Sequence, residues 1–182
     1  MASVEVRRAE PSDLERVMEV LGEGREALGE LGIDQWQRGY PSEEVVRRDI
    51  VGGNCWVAVP EDADGAIMAT ACIMLNGEPI YDAIDGAWLT ECTSENPSYA
   101  TVHRVAVSSQ GTRRGLARML FSHAESLARD AGYRSVRVDT HEGNVRMRTL
   151  LPSLGYSQCG VVMLADPSEP TRERIAYEKV VA

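Results

Sequence analysis

Val105-Ala106-Val107-Ser108-Ser109-Gln110-Gly111-Thr112-Arg113-Arg114-Gly115-Leu116-Ala117-Arg118 is the stretch that decides the reading of this chain. The apolar residues ending at Val107 read as the end of a strand, and the polar run that follows reads as a glycine-bearing turn. Leu116 opens a long amphipathic helix. A helix N-terminus carries unpaired N–H groups and a partial positive charge, so it makes a ready anion site. Gly115 lets the backbone approach closely, and Arg113, Arg114 and Arg118 raise the local positive potential. The segment is expected to hold something phosphorylated.

Outward from this segment the chain resolves into ordered elements. Val4 and Val6 alternate with polar residues as a short first strand. Ser12-Asp13-Leu14-Glu15 has capping-box form, with Leu14, Val17, Met18 and Leu21 at helical spacing after it; Gly22, Gly24, Gly29 and Gly32 interrupt the continuation toward Leu31. A second helix is predicted from Ser42 through Val46 and Ile50 to a stop at Gly52-Gly53. Strands over 55–59 and 66–75 flank the acidic turn Glu61-Asp62-Ala63-Asp64-Gly65 and read as a hairpin. Residues 76–98, broken by Gly77, Pro79, Gly86 and Pro97, form a long irregular stretch of a kind more often functional than idle. A strand over 99–107 enters the quoted turn. The helix beyond it sets Leu116, Leu120, Ala124, Leu127 and Ala131 on one face and stops at Gly132. A strand over 135–140, a short helix over 144–154 and closing strands over 156–164 and 174–181 complete the series. About seven strands and about four helices in this order predict a mixed α/β (α+β) fold, a central twisted sheet with helices on both faces. A doubly wound sheet would alternate strand and helix strictly.

Composition narrows the class. A chain of 182 residues that is 43% hydrophobic fits one ordinary domain. No apolar run approaches the ~20 residues of a membrane span. Met1-Ala2-Ser3-Val4-Glu5-Val6-Arg7-Arg8 lacks the apolar core of a signal peptide, so a cytoplasmic protein is expected. Cys55, Cys72, Cys92 and Cys159 are widely spaced and suggest buried free thiols, with neither a metal site nor a disulfide framework. The net charge of −9 argues against nucleic acid or an anionic membrane as main partner. Its distribution is uneven: residues 49–103 hold nine acidic side chains and no Lys or Arg, whereas 104–182 hold twelve basic and eight acidic ones. The first region suits a cation or mere solubility; the second can receive an anion.

Better-known phosphate loops do not fit. A P-loop needs a Gly-Lys pair, and the only lysine is Lys179. A dinucleotide loop wants G-x-G-x-x-G after an early strand, a spacing that Gly111 and Gly115 do not meet. The segment instead resembles motif A of the GNAT superfamily of N-acetyltransferases, Gln/Arg-x-x-Gly-x-Gly/Ala after a strand ending in valine. Gly115-Leu116-Ala117 matches its second half, Val107 precedes it at the usual spacing, and Thr112 stands where Gln or Arg is usual. Val136-Arg137-Val138-Asp139-Thr140-His141 followed by Asn144 looks like the strand and asparagine of motif B. Gly155-Tyr156 resembles the closing Gly-aromatic pair. Gln35-Trp36, Tyr40-Pro41 and Asp139-Thr140-His141 resemble a bacterial subset of the family.

The resemblance implies a GNAT-type fold with acetyl-CoA as donor. The backbone of Val105, Ala106 and Val107 would pair with the pantetheine amides like an added strand. N–H groups from Arg113 through Gly115, Leu116 and Ala117 to Arg118 would hold the pyrophosphate, with Thr112 heading the loop and Arg113, Arg114 and Arg118 adding charge. Asn144 would bond to the pantetheine arm and can cap its helix as well. Acetyl transfer to an amine needs a deprotonated amine, a polarised carbonyl and a proton for the leaving thiolate. His103 is the first candidate base, placed by strict alternation on the face of Val105 and Val107, and of a residue type that titrates near neutrality. Glu91 in the long loop is the second. His141 is read as orienting the following loop and His123 as inert. The backbone N–H of Val107 would polarise the carbonyl. Many members place a tyrosine seven residues after the motif B asparagine; here Leu151 holds that position, which leaves Tyr156 and water as proton donors. A CoA thiol leaves with little help.

For the acceptor, Tyr81, Asp82, Asp85 and Trp88, with Glu91 and Glu95, either form a cation-accepting pocket for a small amine or cover apolar core as an exposed acidic loop. The expected reaction is direct attack of a small primary amine on acetyl-CoA in a ternary complex. A non-catalytic acyl-CoA sensor on the same fold and a protein N-terminal acetyltransferase are the alternatives. Homodimers are common in the family, and the sequence marks no interface.

Overall fold

The computed structural model describes residues 3–167 and 169–182. Met1 and Ala2, part of the N-terminal stretch read above, lie outside the described residues. In chain order the elements are β1 (Val4–Arg8), α1 (Leu14–Glu30), α2 (Glu43–Val51), β2 (Cys55–Pro60), β3 (Ala69–Met74), β4 (Asp85–Gly86), β5 (Tyr99–Val107), α3 (Leu116–Asp130), β6 (Ser135–Thr140), α4 (Val145–Ser153), β7 (Ser157–Met163) and β8 (Glu173–Val180). The strands form one eight-stranded sheet ordered β1-β2-β3-β5-β6-β8-β7-β4. Among the described strands only β5 and β6 run parallel. The expected mixed fold with four helices is correct. The eighth strand is the two-residue β4, where the long loop touches down on Gly160 and Val161 of β7.

The helices take their ends from local chemistry. Ser42 Oγ accepts from the Val45 N–H at the start of α2, and Asn144 Oδ1 accepts from the Met147 N–H at 3.1 Å at the start of α4. The first helix departs from its expected start. A short 3₁₀ turn over Pro11–Asp13 precedes it, and Asp13 folds back to accept the Glu10 N–H and the Arg7 guanidinium. It then runs unbroken through its glycines to Glu30. Gly24 has a specific reason to be glycine, because a Cβ there would lie 3.0 Å from Ala106 Cβ. α1 therefore packs directly against β5.

Two main cores cover the two faces, and a smaller cluster of Tyr81, Tyr99, Val162 and Ala176 lies under the long loop. Under α3 and α4 lie Val102, Leu120, Phe121, Val136 and Leu151; under α1 and α2 lie Val17, Val20, Val46, Ile50 and Val57. Among the described residues, no helix is long and apolar enough to cross a membrane.

Candidate active site

One irregularity in β5 sets the site. Thr70 pairs with Ala106 but Cys72 pairs with His103, so β5 carries one more residue than β3 across this span. The extra residue falls at Arg104, whose φ of +53° lies in the left-handed region. A bulge of this kind bends its strand and raises the local twist. β5 pairs with β6 from Tyr99↔Ser135 to Thr101↔Arg137, and beyond Thr101 no rung joins them among the described residues. The gap opens into a cleft of about 1560 Å³ that reaches from the loop before α3 to the loops joining α1 to α2 and β7 to β8.

The bulge also corrects the expected placement of His103. Val102, Val105 and Val107 pack on the α3 side, whereas Ala106 packs on the α1 side. His103 is therefore on the face opposite Val105 and Val107, because Arg104 resets the alternation between them. His103 remains a wall of the cleft, with its side chain 17% exposed. Its Nε2 lies 3.3 Å from Glu78 Oε2, but the two are not aligned as a hydrogen bond, and Nε2 has no other partner among the described residues. Burial pushes the Glu78 carboxyl up, but His103, the Ile80 N–H and Arg104 together outweigh it and hold Glu78 below the usual carboxylate range. Beside them in the cleft, Asp139 Oδ2 accepts from the Tyr81 hydroxyl at 2.8 Å.

The loop entering α3 has the form read from sequence. Ser108 Oγ accepts the Gly111 N–H, and the Thr112 hydroxyl donates back to Ser109 O at 2.9 Å, so the residue at the Gln/Arg position closes the turn on itself. Arg113 and Gly115 are both left-handed, at φ +63° and +76°. No described atom lies within 4 Å of where a Gly115 Cβ would stand. Met119 N–H is the first of α3 to bond inward, to Gly115 O. The N–H groups of Leu116, Ala117 and Arg118 precede it and are left for a ligand. Ser108 N–H donates to Met68 O on the β3 side, so the Val107 N–H, one residue back, points to the opposite edge and into the cleft. The Val105 N–H shares that direction.

The other expected cofactor residues divide. Arg113, Arg118 and Asn144 line the cleft. Arg118 also donates to Ser153 Oγ at 3.2 Å, which ties α3 to α4. Arg114 is turned away, captured by Asp62 of the β2–β3 turn and resting on Met68 Sδ, so its predicted contribution of charge is corrected.

Two proton-transfer candidates are also placed elsewhere. Glu91 is exposed and borders a separate small hollow with Cys92 and Tyr133. Tyr156 is 3% exposed, packed edge-on to Phe121 behind α3, and its burial pushes the hydroxyl far above its ordinary value. Neither reaches the cleft. Leu151 is core, fully enclosed.

None of Tyr81, Asp82, Asp85 and Trp88 lines the cleft. Tyr81 is buried behind Asp139. Asp82 accepts from Ser94 N–H and hydroxyl, and Asp85 lies in the exposed β4. Trp88 does meet a cation, but it is the chain's own Arg137: its guanidinium carbon stands 4.3 Å from the Trp88 ring centroid and 4.1 Å from that of Tyr99. The acidic loop is a structural cover over that buried cation.

The residues that do build the acceptor side come from widely separated segments. Arg104 donates to Tyr40 Oη and Cys72 Sγ and lies 2.9 Å from Asp49 Oδ2, pinning the 31–42 loop and α2 over the bulge. Glu78, Asp139 and Arg174 complete it, and Arg146 joins Arg113 and Arg118 at the cofactor end. Glu23 was also missed. Its carboxylate accepts the Ser109 N–H at 2.6 Å and fixes the start of the loop to α1. Its flanking glycines were the one sequence signal for that close approach.

A parallel strand pair that parts over a helix N-terminus is the arrangement that the resemblance read from the sequence implies. The Acetyltransferase (GNAT) family model matches residues 23–156. A GNAT acetyltransferase from Streptococcus agalactiae is 34% identical, covering 97% of this chain and 95% of its own at a TM-score of 0.83. A GNAT acetyltransferase from Listeria monocytogenes is 19% identical over 99% and 98% at TM-score 0.71, and the ribosomal-protein-S18-alanine N-acetyltransferase of Escherichia coli is 17% identical over 99% and 95% at 0.63; these share the fold. A search of curated protein sequences returned no match. The chain belongs to the GNAT family of acetyltransferases.

Proposed function

We propose that this protein moves the acetyl group of acetyl-CoA to a primary amine of a small molecule, by direct attack within a ternary complex. The carrying observation is the parting of β5 from β6 into the same cleft that the free N–H groups of Leu116, Ala117 and Arg118 border. A pantetheine arm fits the first and a pyrophosphate the second. Arg113, Arg118 and Arg146 give the cofactor end positive charge, and Asn144 stands at its wall.

The amine nitrogen attacks the thioester carbonyl, whose oxygen takes a hydrogen bond from the Val107 N–H as negative charge develops. The C–N bond forms and the C–S bond breaks. His103 takes the amine proton with Glu78 steadying the imidazolium; positioned bases of this kind contribute roughly 10²–10⁴-fold. The thiolate leaves and is protonated by water, since Leu151 and Tyr156 are both enclosed in core. On the acceptor side, Asp49, Glu78, Asp139, Asp166 and Glu169 face Arg48, Arg104 and Arg174, an acid excess that favours an ammonium on arrival. A cytoplasmic bacterial enzyme is consistent with this cosubstrate.

The test is thiol release from acetyl-CoA against a panel of amino acids, polyamines, aminoglycosides and peptides. Release with a small-molecule amine supports the proposal. Tight CoA binding with no release from any acceptor would refute it, in favour of a sensor; release with peptides alone would point to protein acetylation.

A further inference from the structure

Arg174 is a buried cation without a full set of partners. It sits near the start of β8, lines the acceptor end of the cleft and is 2% exposed. Its Nη1 donates to the backbone carbonyls of Thr171 and Glu173. Its Nη2 comes no nearer to a carboxylate than 3.7 Å, at Glu169 Oε2, beyond hydrogen-bond reach. Nε has no hydrogen-bond partner either among the described residues, and the residue lines the cleft. Burial pushes the Arg174 pKa down, with Asp139 and Glu169 only partly offsetting it. Two parallel donors along one edge of a buried guanidinium match the two oxygens of a carboxylate.

We infer that the acceptor carries a carboxylate beside its amine, and that the free Nε/Nη2 edge of Arg174 binds this carboxylate while the amine lies against His103 and Glu78. The inference rests on the acetyltransferase reading and narrows its acceptor to an amino acid. β5, β6 and β8 are neighbours in the sheet and β5 has parted from β6 at His103, so the strands bearing His103 and Arg174 are more than two spacings apart, upward of roughly 10 Å, and both residues line the cleft between them. That span suits a short molecule with both groups on one skeleton. A phosphate dianion would meet stronger repulsion from Asp139 and Glu169 than a carboxylate monoanion does. The bland role for Arg174, a counterion to those two acids, leaves its Nε edge without a use.

The test compares amino acids with their carboxamides and their decarboxylated amines as acceptors, read by thiol release. A charge-assisted bidentate contact is worth about ten- to a hundredfold, so wild type should prefer the acid by that factor in kcat/KM, mostly through KM. Arg174→Gln should bring the ratio of acid to carboxamide near one, and Arg174→Lys should restore part of the preference. A dipeptide arm separates a free amino acid from a peptide acceptor, because its carboxylate stands one residue farther from the amine. Equal use of acid and carboxamide by wild type overturns the inference and leaves the acetyltransferase reading standing. A preference that persists in Arg174→Gln overturns it too. No thiol release from any amine sinks the reading and the inference together. If Arg174→Gln fails to fold, the wild-type ratio and the Lys variant still decide.

Discussion

Replacing Arg137 by Met should destabilise the protein in a way that depends on pH. Arg137 and Glu178 are both fully buried, with Nε 3.0 Å from Oε1. The guanidinium is sandwiched between Trp88 and Tyr99 and donates to Thr90 O at 2.6 Å. Glu178 also receives the Thr90 N–H and the Ser135 hydroxyl. Methionine fills much of the same volume, so the cavity contribution is small, and the cost is that of a carboxylate left buried without its cation. Breaking such a pair costs about 3–5 kcal/mol. At this chain length one kcal/mol moves Tm by roughly 2–4 °C, so the loss is about 6–20 °C. The stranded carboxylate would take up a proton on folding, so the folded variant binds more protons than the unfolded one and loses stability as pH rises. Thermal unfolding of both proteins from pH 5 to pH 8 should show the deficit growing by up to about 1.4 kcal/mol per pH unit. A deficit below about 1 kcal/mol, or one flat with pH, would mean that Arg137 is held by its aromatic neighbours and not by Glu178.

Three further outcomes are expected. Gly115→Glu should abolish CoA binding in calorimetry, whereas Gly115→Ala, which meets open space, should cost only the left-handed strain of about 1–2 kcal/mol and keep binding; retained binding in the Glu variant refutes the loop assignment. His103→Ala should lower kcat by roughly 10²–10⁴-fold and change its pH profile while CoA affinity holds, and Glu78→Gln should shift the same profile; unchanged profiles would remove the pair from the chemistry. The Glu23 carboxyl is held below the usual 4.5 by the Ser109 N–H, with burial opposing, so its contribution is present above that pH and is lost as pH falls below it. Glu23→Gln should therefore flatten the acid limb of the stability curve, and an identical acid limb would exclude the contact.

Much of the fold was legible because periodicity and stop signals act locally. The long loop was not. Its acids and aromatics are those of a cation site, and they do enclose a cation. That cation is Arg137, which comes from β6 and is brought to Trp88 and Tyr99 by the sheet order. Composition reports that a charge is wanted and not which strand supplies it. The glycines of α1 show the same limit. They read as helix breakers, and Gly24 is in fact the point where α1 comes into direct contact with β5.

The candidate site was half legible, and two features divide it: continuity in sequence and the residue added at Arg104. The cofactor half is continuous in sequence from Val105 to Arg118, so a motif can carry it. The acceptor half is drawn from Asp49, Glu78, His103, Asp139 and Arg174, and only the sheet makes them neighbours. Strict alternation put His103 on the wrong face, because it cannot anticipate a bulge. The bulge then does two things at once. It turns His103 toward Glu78 and the acceptor loops, and it leaves the Val105 and Val107 N–H groups facing the gap beside β6. On the proposed mechanism, a base on one side of the parting and hydrogen-bond donors along its edge are what acetyl transfer requires, and one inserted residue supplies both.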